Sequence, residues 1–415
     1  MASVLTDLRH NEWRLETPGN DSWARSARPG SPNKHLMVSC DAHINEPAAF
    51  TDNLAPHVKA MLPRVEVDAD GVKWDVVPGM RRIRALYQGE GDAEDNMRVQ
   101  SARSPDQIID NMDRDGVDIQ VTYPNKGMFM FGLGDSDAMY AMASAYNDWL
   151  ADYFSAKKDR VLPMAIILTR DIDRAIAELE RIAKLDFFRG LMLPAKPIYG
   201  PHSAEHLAYN NLELDPLWAR IQELNIPITV HVGTGSDSRA FRGPGAAITC
   251  RAAVAHPSTL EFVSHMCTGV IERFPQLRFA TIEAGISYLP YLLEVMDETH
   301  RKHHMWIRHK LKRLPSEYFY ENGFASFEED HAGLLAIDPR LDDSPYRRLE
   351  NNYLWANDAP HHEGSWPHSA LAIERQMKNL TDEQRAKILG GNAVRCFNIE
   401  DLVAKFLAKF AIRTS

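Results

Sequence analysis

With 415 residues, 44% of them hydrophobic and 25% charged, the chain is long and apolar enough to bury a large core, which excludes a disordered or fibrous protein. A formal net charge of −10 opposes binding to a nucleic-acid backbone, and no basic patch reverses it; the stretch from His300 to Arg313 carries Met305, Trp306, Ile307 and Leu311 and reads as a helix with a solvated basic face. Cys40, Cys250, Cys267 and Cys396 lie too far apart for a C-x-x-C pair or a disulfide framework, and no apolar run reaches the roughly 18 residues of a membrane span, so a cytoplasmic protein that binds neither nucleic acid nor membrane is expected.

Residues 1–35 are polar and punctuated by Pro and Gly, and they read as an N-terminal arm. From Leu36 onward, short apolar runs alternate with longer amphipathic stretches, the pattern of parallel strands joined by crossover helices. Eight strands are predicted, over residues 36–44, 116–123, 160–168, 188–194, 226–232, 277–284, 320–326 and 351–358. Helices are predicted over 138–156, 171–184, 215–224, 257–274 and 288–305, with Asp171 and Asp215 as N-caps. Eight strand-then-helix units predict an α/β fold, a closed (β/α)8 barrel more than an open doubly wound sheet, spanning 36–400 and followed by a C-terminal tail helix over 401–415. Two segments exceed the minimal repeat: 47–104, an inserted hairpin or lid, and 234–256, a glycine- and arginine-rich loop after the fifth strand. Both leave strand C-termini, where barrel enzymes place their chemistry.

The polar residues that end these strands carry the functional reading. Asp41 and His43 lie two apart on strand one and so share a face. His231 ends strand five, Glu283 strand six and Asp358 strand eight. Three acidic groups at corresponding ends of one barrel need a shared cation to be stable together, so Asp41, His43, His231, Glu283 and Asp358 form a candidate divalent-metal site. Its nitrogen and oxygen donors suit zinc first, with manganese or iron as alternatives; the absence of thiolates argues against a closed structural zinc site.

Several ordered segments resemble the amidohydrolase-related family, in the branch that includes aminocarboxymuconate-semialdehyde decarboxylase and related aromatic-acid decarboxylases. They are Asp41-Ala-His43-Ile-Asn-Glu46-Pro47, Thr229-Val-His231-Val-Gly-Thr-Gly235, Ile282-Glu283-Ala-Gly-Ile-Ser-Tyr-Leu-Pro290, Asn357-Asp358-Ala-Pro-His361 and Ile388-Leu-Gly-Gly-Asn392-Ala. The resemblance runs from about Leu36 to Phe397 and implies a distorted TIM barrel with a metal held by Asp41, His43, His231 and Asp358. Two departures stand out: Asp41 replaces the first histidine of the usual His-x-His pair, and Glu283 stands where decarboxylase relatives often have histidine.

Asp41, Glu46, Glu283 and Asp358 together exceed the charge of one divalent ion, so either one carboxylate binds a proton and acts as acid or base, or two ions are present. Asp358 and Glu283 are therefore the candidate catalytic residues. Glu46, His361 and His362 are expected to touch substrate or to support the ligands from behind. The leading expectation is hydrolysis of a small organic substrate by a metal-activated water. The alternatives are decarboxylation of an aromatic or unsaturated carboxylic acid and, if two irons are bound, oxygen chemistry. A cation aimed at a substrate carboxylate would favour decarboxylation, and Lys196, Arg239 and Arg242 are the candidates. A homodimer or higher homo-oligomer is expected on general grounds.

Overall fold

The computed structural model describes residues 35–52, 54–76, 82, 93–195, 207–234, 244–250, 252, 256–303, 311–341 and 343–411. Every barrel-forming segment is shorter than its apolar run predicts, because the flanking residues of each run leave the hydrogen-bonded ladder. The strands are β1 (Val38–Ser39), β2 (His43–Ile44), the hairpin pair β3 (Arg64–Val67) and β4 (Lys73–Val76), β5 (Ile119–Pro124), β6 (Val161–Pro163), β7 (Ala165–Ile166), β8 (Leu191–Leu193), β9 (Ile228–His231), β10 (Phe279–Ile282), β11 (Gly323–Phe327) and β12 (Tyr353–Trp355).

β7 to β12 form one parallel sheet in chain order, and β5 pairs in parallel with β1, β2 and β6. Met164 alone separates β6 from β7, and its N–H donates to Thr122 O at 3.0 Å, so the third barrel strand is continuous across both sheets. The other seam is closed by Cys40 N–H to Trp355 O at 3.0 Å and by a parallel bridge between Ala42 and Ala359. The eight parallel segments thus form a distorted TIM barrel. Every residue of β5, β9, β10 and β11 is buried, as expected for strands packed on both faces.

Helices cover the outside where the apolar period requires them. Ser136–Tyr153 begins on Asp135, and Ile172–Ala183 is capped by Asp171, whose side chain accepts from Arg174 N–H at 3.0 Å. Three expectations are corrected. Asp215 is the first helical residue of Asp215–Leu224 rather than its N-cap, because its carboxylate is taken by Arg273 at 2.8 Å. Tyr320 belongs to the helix Pro315–Asn322, so the seventh strand starts only at Gly323. The run over 257–274 is not one helix: His256–His265 continues through a π-type turn at Met266–Val270 with non-helical Thr268 and Gly269.

In the insertion over 47–104, β3 and β4 pair antiparallel and are followed by a helix, Ala93–Gln100. Beyond the barrel lies the helix Glu400–Ala411. Among the described residues Cys40, Cys267 and Cys396 are buried free thiols, and no helix is long and apolar enough to cross a membrane.

Candidate metal centre

Five side chains meet at the C-terminal mouth of the barrel, placed there by the ends of four barrel strands. Asp41 and His43 come from the gap between β1 and β2 and from β2 itself, His231 from the last position of β9, Glu283 from just beyond β10, and Asp358 from three residues beyond β12. All five are buried. Asp41, His43, His231 and Glu283 each offer one ligand atom within 4.8 Å of the others, and His43, Asp358 and His361 form a second such group sharing His43. The separations are 3.4 Å from His231 Nε2 to Asp41 Oδ1, 3.5 Å from His231 Nε2 to Glu283 Oε2, 3.5 Å from His43 Nε2 to Asp41 Oδ1 and 3.4 Å from His43 Nε2 to Asp358 Oδ1.

Both rings are oriented from behind. His43 Nδ1 lies 2.9 Å from Pro124 O and His231 Nδ1 2.8 Å from Val232 O. A carbonyl only accepts, so each Nδ1 carries its proton and each Nε2 is left to face the carboxylates. Asp41 Oδ2, His43 Nε2 and both Asp358 oxygens are buried without a hydrogen-bond partner. Such orphaned polar atoms are rare in native interiors, and a shared cation satisfies all four at once.

The electrostatics express the same demand. Burial disfavours a charge on His231, yet Asp41 and Glu283 beside it raise its pKa to about 9. His43 is held well below the ordinary imidazole value by burial and by the neighbouring His361 and His231. The Asp358 carboxyl is pushed well above the usual range, first by burial and then by Glu283 and Asp41. The cluster therefore gathers positive charge wherever it can, by protonation if not by a metal. Its donors are imidazole nitrogens and carboxylate oxygens with no thiolate, a set open to zinc, manganese or ferrous iron.

The remaining expected residues divide. His361 stacks on His43 with ring centroids 4.0 Å apart, and its Nδ1 lies 3.1 Å from Asp358 Oδ1 with a quarter of the side chain exposed. Glu46 is turned to the loop after β5, where its Oε1 accepts from Asn125 N–H at 2.8 Å and Gly127 N–H at 3.0 Å; it is not part of either group. His362 and Glu363 are exposed. Lys196, Arg239 and Arg242 lie outside the described residues.

Two contributors escape a reading of strand-ending polar residues. Tyr123, on β5, is fully buried with its ring 5.1 Å from that of His231, but inside an apolar run a tyrosine reads as core. Behind the centre runs a buried polar chain. Asn357 N–H donates to Ser39 Oγ at 3.0 Å, Asn357 Nδ2 to Asp115 Oδ2 at 2.8 Å, and Ser369 N–H to Asp115 Oδ1 at 3.1 Å. Asp115 sits in the last turn of the helix Pro105–Asp115, beside Gly116, where an acidic residue reads as solvated helix end.

A family model described as Amidohydrolase matches residues 40–399. The gamma-resorcylate decarboxylase of Polaromonas sp. strain JS666 is 24% identical over 300 residues, 71% of this chain and 87% of that protein. Among solved structures, the 5-carboxyvanillate decarboxylase of Sphingomonas paucimobilis is similar with a TM-score of 0.62 and 22% identity, over 88% of this chain and 99% of that one. A dihydroxybenzoic acid decarboxylase from Polaromonas sp. JS666, holding manganese and the inhibitor 2-nitroresorcinol, has a TM-score of 0.59 and 20% identity, over 88% and 97% of the two chains.

Proposed function

The chain belongs to the amidohydrolase family, and from that premise we propose that it is a metal-dependent decarboxylase of an aromatic carboxylic acid. Hydrolysis, the leading expectation from sequence, gives way, because the curated relatives that match over most of the chain are gamma-resorcylate decarboxylases. The observation that carries the metal half of the proposal is the buried convergence of Asp41, His43, His231 and Glu283 within 4.8 Å. In this reading those four hold the ion together with Asp358, whose Oδ1 stands 3.4 Å from His43 Nε2 and 3.1 Å from His361 Nδ1. A divalent ion held there supplies the charge that offsets the carboxylates and gives an anchor for the oxygen atoms of an acidic substrate.

The residues of the chain then handle the proton. Asp358 keeps a proton on its carboxyl because burial and the adjacent Glu283 and Asp41 disfavour its charge. It gives that proton to the ring carbon bearing the substrate carboxylate, forming a C–H bond at the expense of ring electrons. The bond to the carboxylate then breaks, its electron pair restores the aromatic ring, and CO2 leaves. His361, partly exposed and in contact with Asp358, returns a proton from solvent. Burial of the cluster keeps water from competing for the same positions.

The test is to load the purified protein with manganese, the ion in the Polaromonas structure, and in parallel with zinc. CO2 release is then followed from 2,6-dihydroxybenzoate, 5-carboxyvanillate and related hydroxybenzoates. A stoichiometric divalent ion with CO2 release from at least one member is expected. A metal-loaded protein inert toward all of them sinks the decarboxylase reading, and a protein that takes up neither ion sinks the metal reading.

A further inference from the structure

The loop after β12 carries Asp358 and His361 into the centre, and one side chain from the insertion after strand one holds it. Arg98, on the helix Ala93–Gln100, is 3% exposed. Its Nη1 donates to His361 O at 2.5 Å and to Pro360 O at 3.4 Å, and its Nη2 donates to Trp366 O at 2.6 Å. The guanidinium is itself fixed by Glu94, whose Oε1 accepts from Nε at 3.1 Å and from Nη2 at 2.5 Å. Glu94 Oε2 reaches the same loop again at His368 Nε2, 3.6 Å away. These five bonds use all five N–H donors of an arginine, so Arg98 has none left for a substrate carboxylate.

The loop needs such a hold. Asp358 has φ 47°, a left-handed backbone that costs a non-glycine residue about 1–3 kcal/mol and persists only where surrounding contacts enforce it. His361 N–H to Asp358 O at 2.8 Å and Trp366 N–H to Asn357 O at 3.2 Å fold the loop back on itself, and Arg98 clamps the carbonyls of that fold. We propose that Arg98 is a positioning residue that keeps Asp358 and His361 aimed at the metal centre and ties the inserted segment to it. This rests on the metal reading above.

The test compares metal-free wild-type protein with Arg98→Met and Arg98→Lys in three measurements: Mn2+ binding by calorimetry, thermal unfolding, and amide hydrogen exchange across 357–369. Folded Arg98→Met is expected to bind Mn2+ roughly 10–100-fold more weakly, the usual cost of losing an outer support of a metal site, with faster exchange in that loop. Arg98→Lys is expected not to rescue, because an ammonium lacks the planar fork that spans three carbonyls. A merely structural role would lower the unfolding temperature and leave the Mn2+ affinity of the folded protein unchanged. Wild-type affinity and wild-type exchange in folded Arg98→Met overturn the proposal. Should that variant not fold, Glu94→Gln decides: a smaller loss of Mn2+ affinity supports the clamp, and unchanged affinity overturns it. If wild-type protein takes up no Mn2+, the metal reading fails separately, and the exchange comparison still judges the hold of Arg98 on the loop.

Discussion

Glu283 and Asp358 leave their strands in the same way, each with a left-handed backbone, φ 56° and 47°, immediately before the chain turns away from the barrel mouth. In both cases a neighbouring strand holds the turn. Glu283 N–H donates to Ser326 Oγ at 2.9 Å, and Asp358 N–H donates to Asp41 O at 3.0 Å. The turn points each carboxylate at the cluster when an extended backbone would have alternated it away. Local strain is thus spent at the two positions where a carboxylate must face its own kind.

Asp358→Asn tests the proton assignment. Asparagine tolerates the left-handed backbone and keeps the shape, so the protein is expected to fold and to retain metal while turnover falls roughly 10²–10⁴-fold. Removing one of three crowded carboxylates should also raise the unfolding temperature of the metal-free protein. Turnover within a few-fold of wild type would remove Asp358 from the chemistry.

Glu283→Gln separates a ligand from an acid. Its Oε2 lies 3.5 Å from His231 Nε2 inside the four-residue group, so the expected result is weaker metal binding, by tenfold or more on the order of other lost ligand contacts. Unchanged metal content with depressed turnover would reassign Glu283 to proton transfer.

His231→Ala is expected to lose most bound metal and stay folded, since the ring stands at the barrel mouth and its loss opens no space among the packed layers below. Elemental analysis of the folded variant reads this directly. Full occupancy would exclude His231 as a ligand.

Gly364→Ala should disable the loop after β12. A Cβ there would sit 2.2 Å from Asn357 O and 2.8 Å from Asp358 Cβ, so the chain folding over Asp358 must move. A stability loss of about 1–3 kcal/mol and a larger fractional loss of turnover are expected from unfolding and steady-state rates. Wild-type behaviour would mean that the loop is looser than its contacts indicate.

Asp115 predicts a pH dependence. Burial raises its pKa to about 6, against the opposing bonds from Ser369 and Asn357, whereas an unfolded aspartate titrates near ~3.9. Between those values the folded state binds more protons than the unfolded one, so stability falls as pH rises through this window and the full penalty is present above it. Asp115→Asn should flatten the stability curve between about pH 4 and 6. An unaltered slope in denaturant melts across that range would assign the dependence to other groups.

Sequence by itself determined the barrel and which five side chains meet at its mouth. Continuous apolar runs can be buried only as strands covered on both faces, and their period announced all eight. A charged or imidazole side chain at the end of such a run has nowhere to go but the mouth, which is why Asp41, His43, His231, Glu283 and Asp358 were legible without coordinates. Period could not mark where ladders stop, so Tyr320 was placed in a strand when helical packing claims it, and Asp215 was read as a cap although Arg273 takes its carboxylate. Glu46 illustrates the same limit: its position three residues after His43 says nothing about Asn125 and Gly127, the amides that hold it aside. Only the tertiary structure decided that Asp358 joins His361 in a second group sharing His43, and that Arg98, Asp115 and Ser39 hold the loop between them. The Arg98 and Ser39 contacts end on a backbone carbonyl and a backbone amide, groups that every residue carries and that no side-chain pattern can announce, and the Asn357–Asp115 contact joins side chains 242 positions apart.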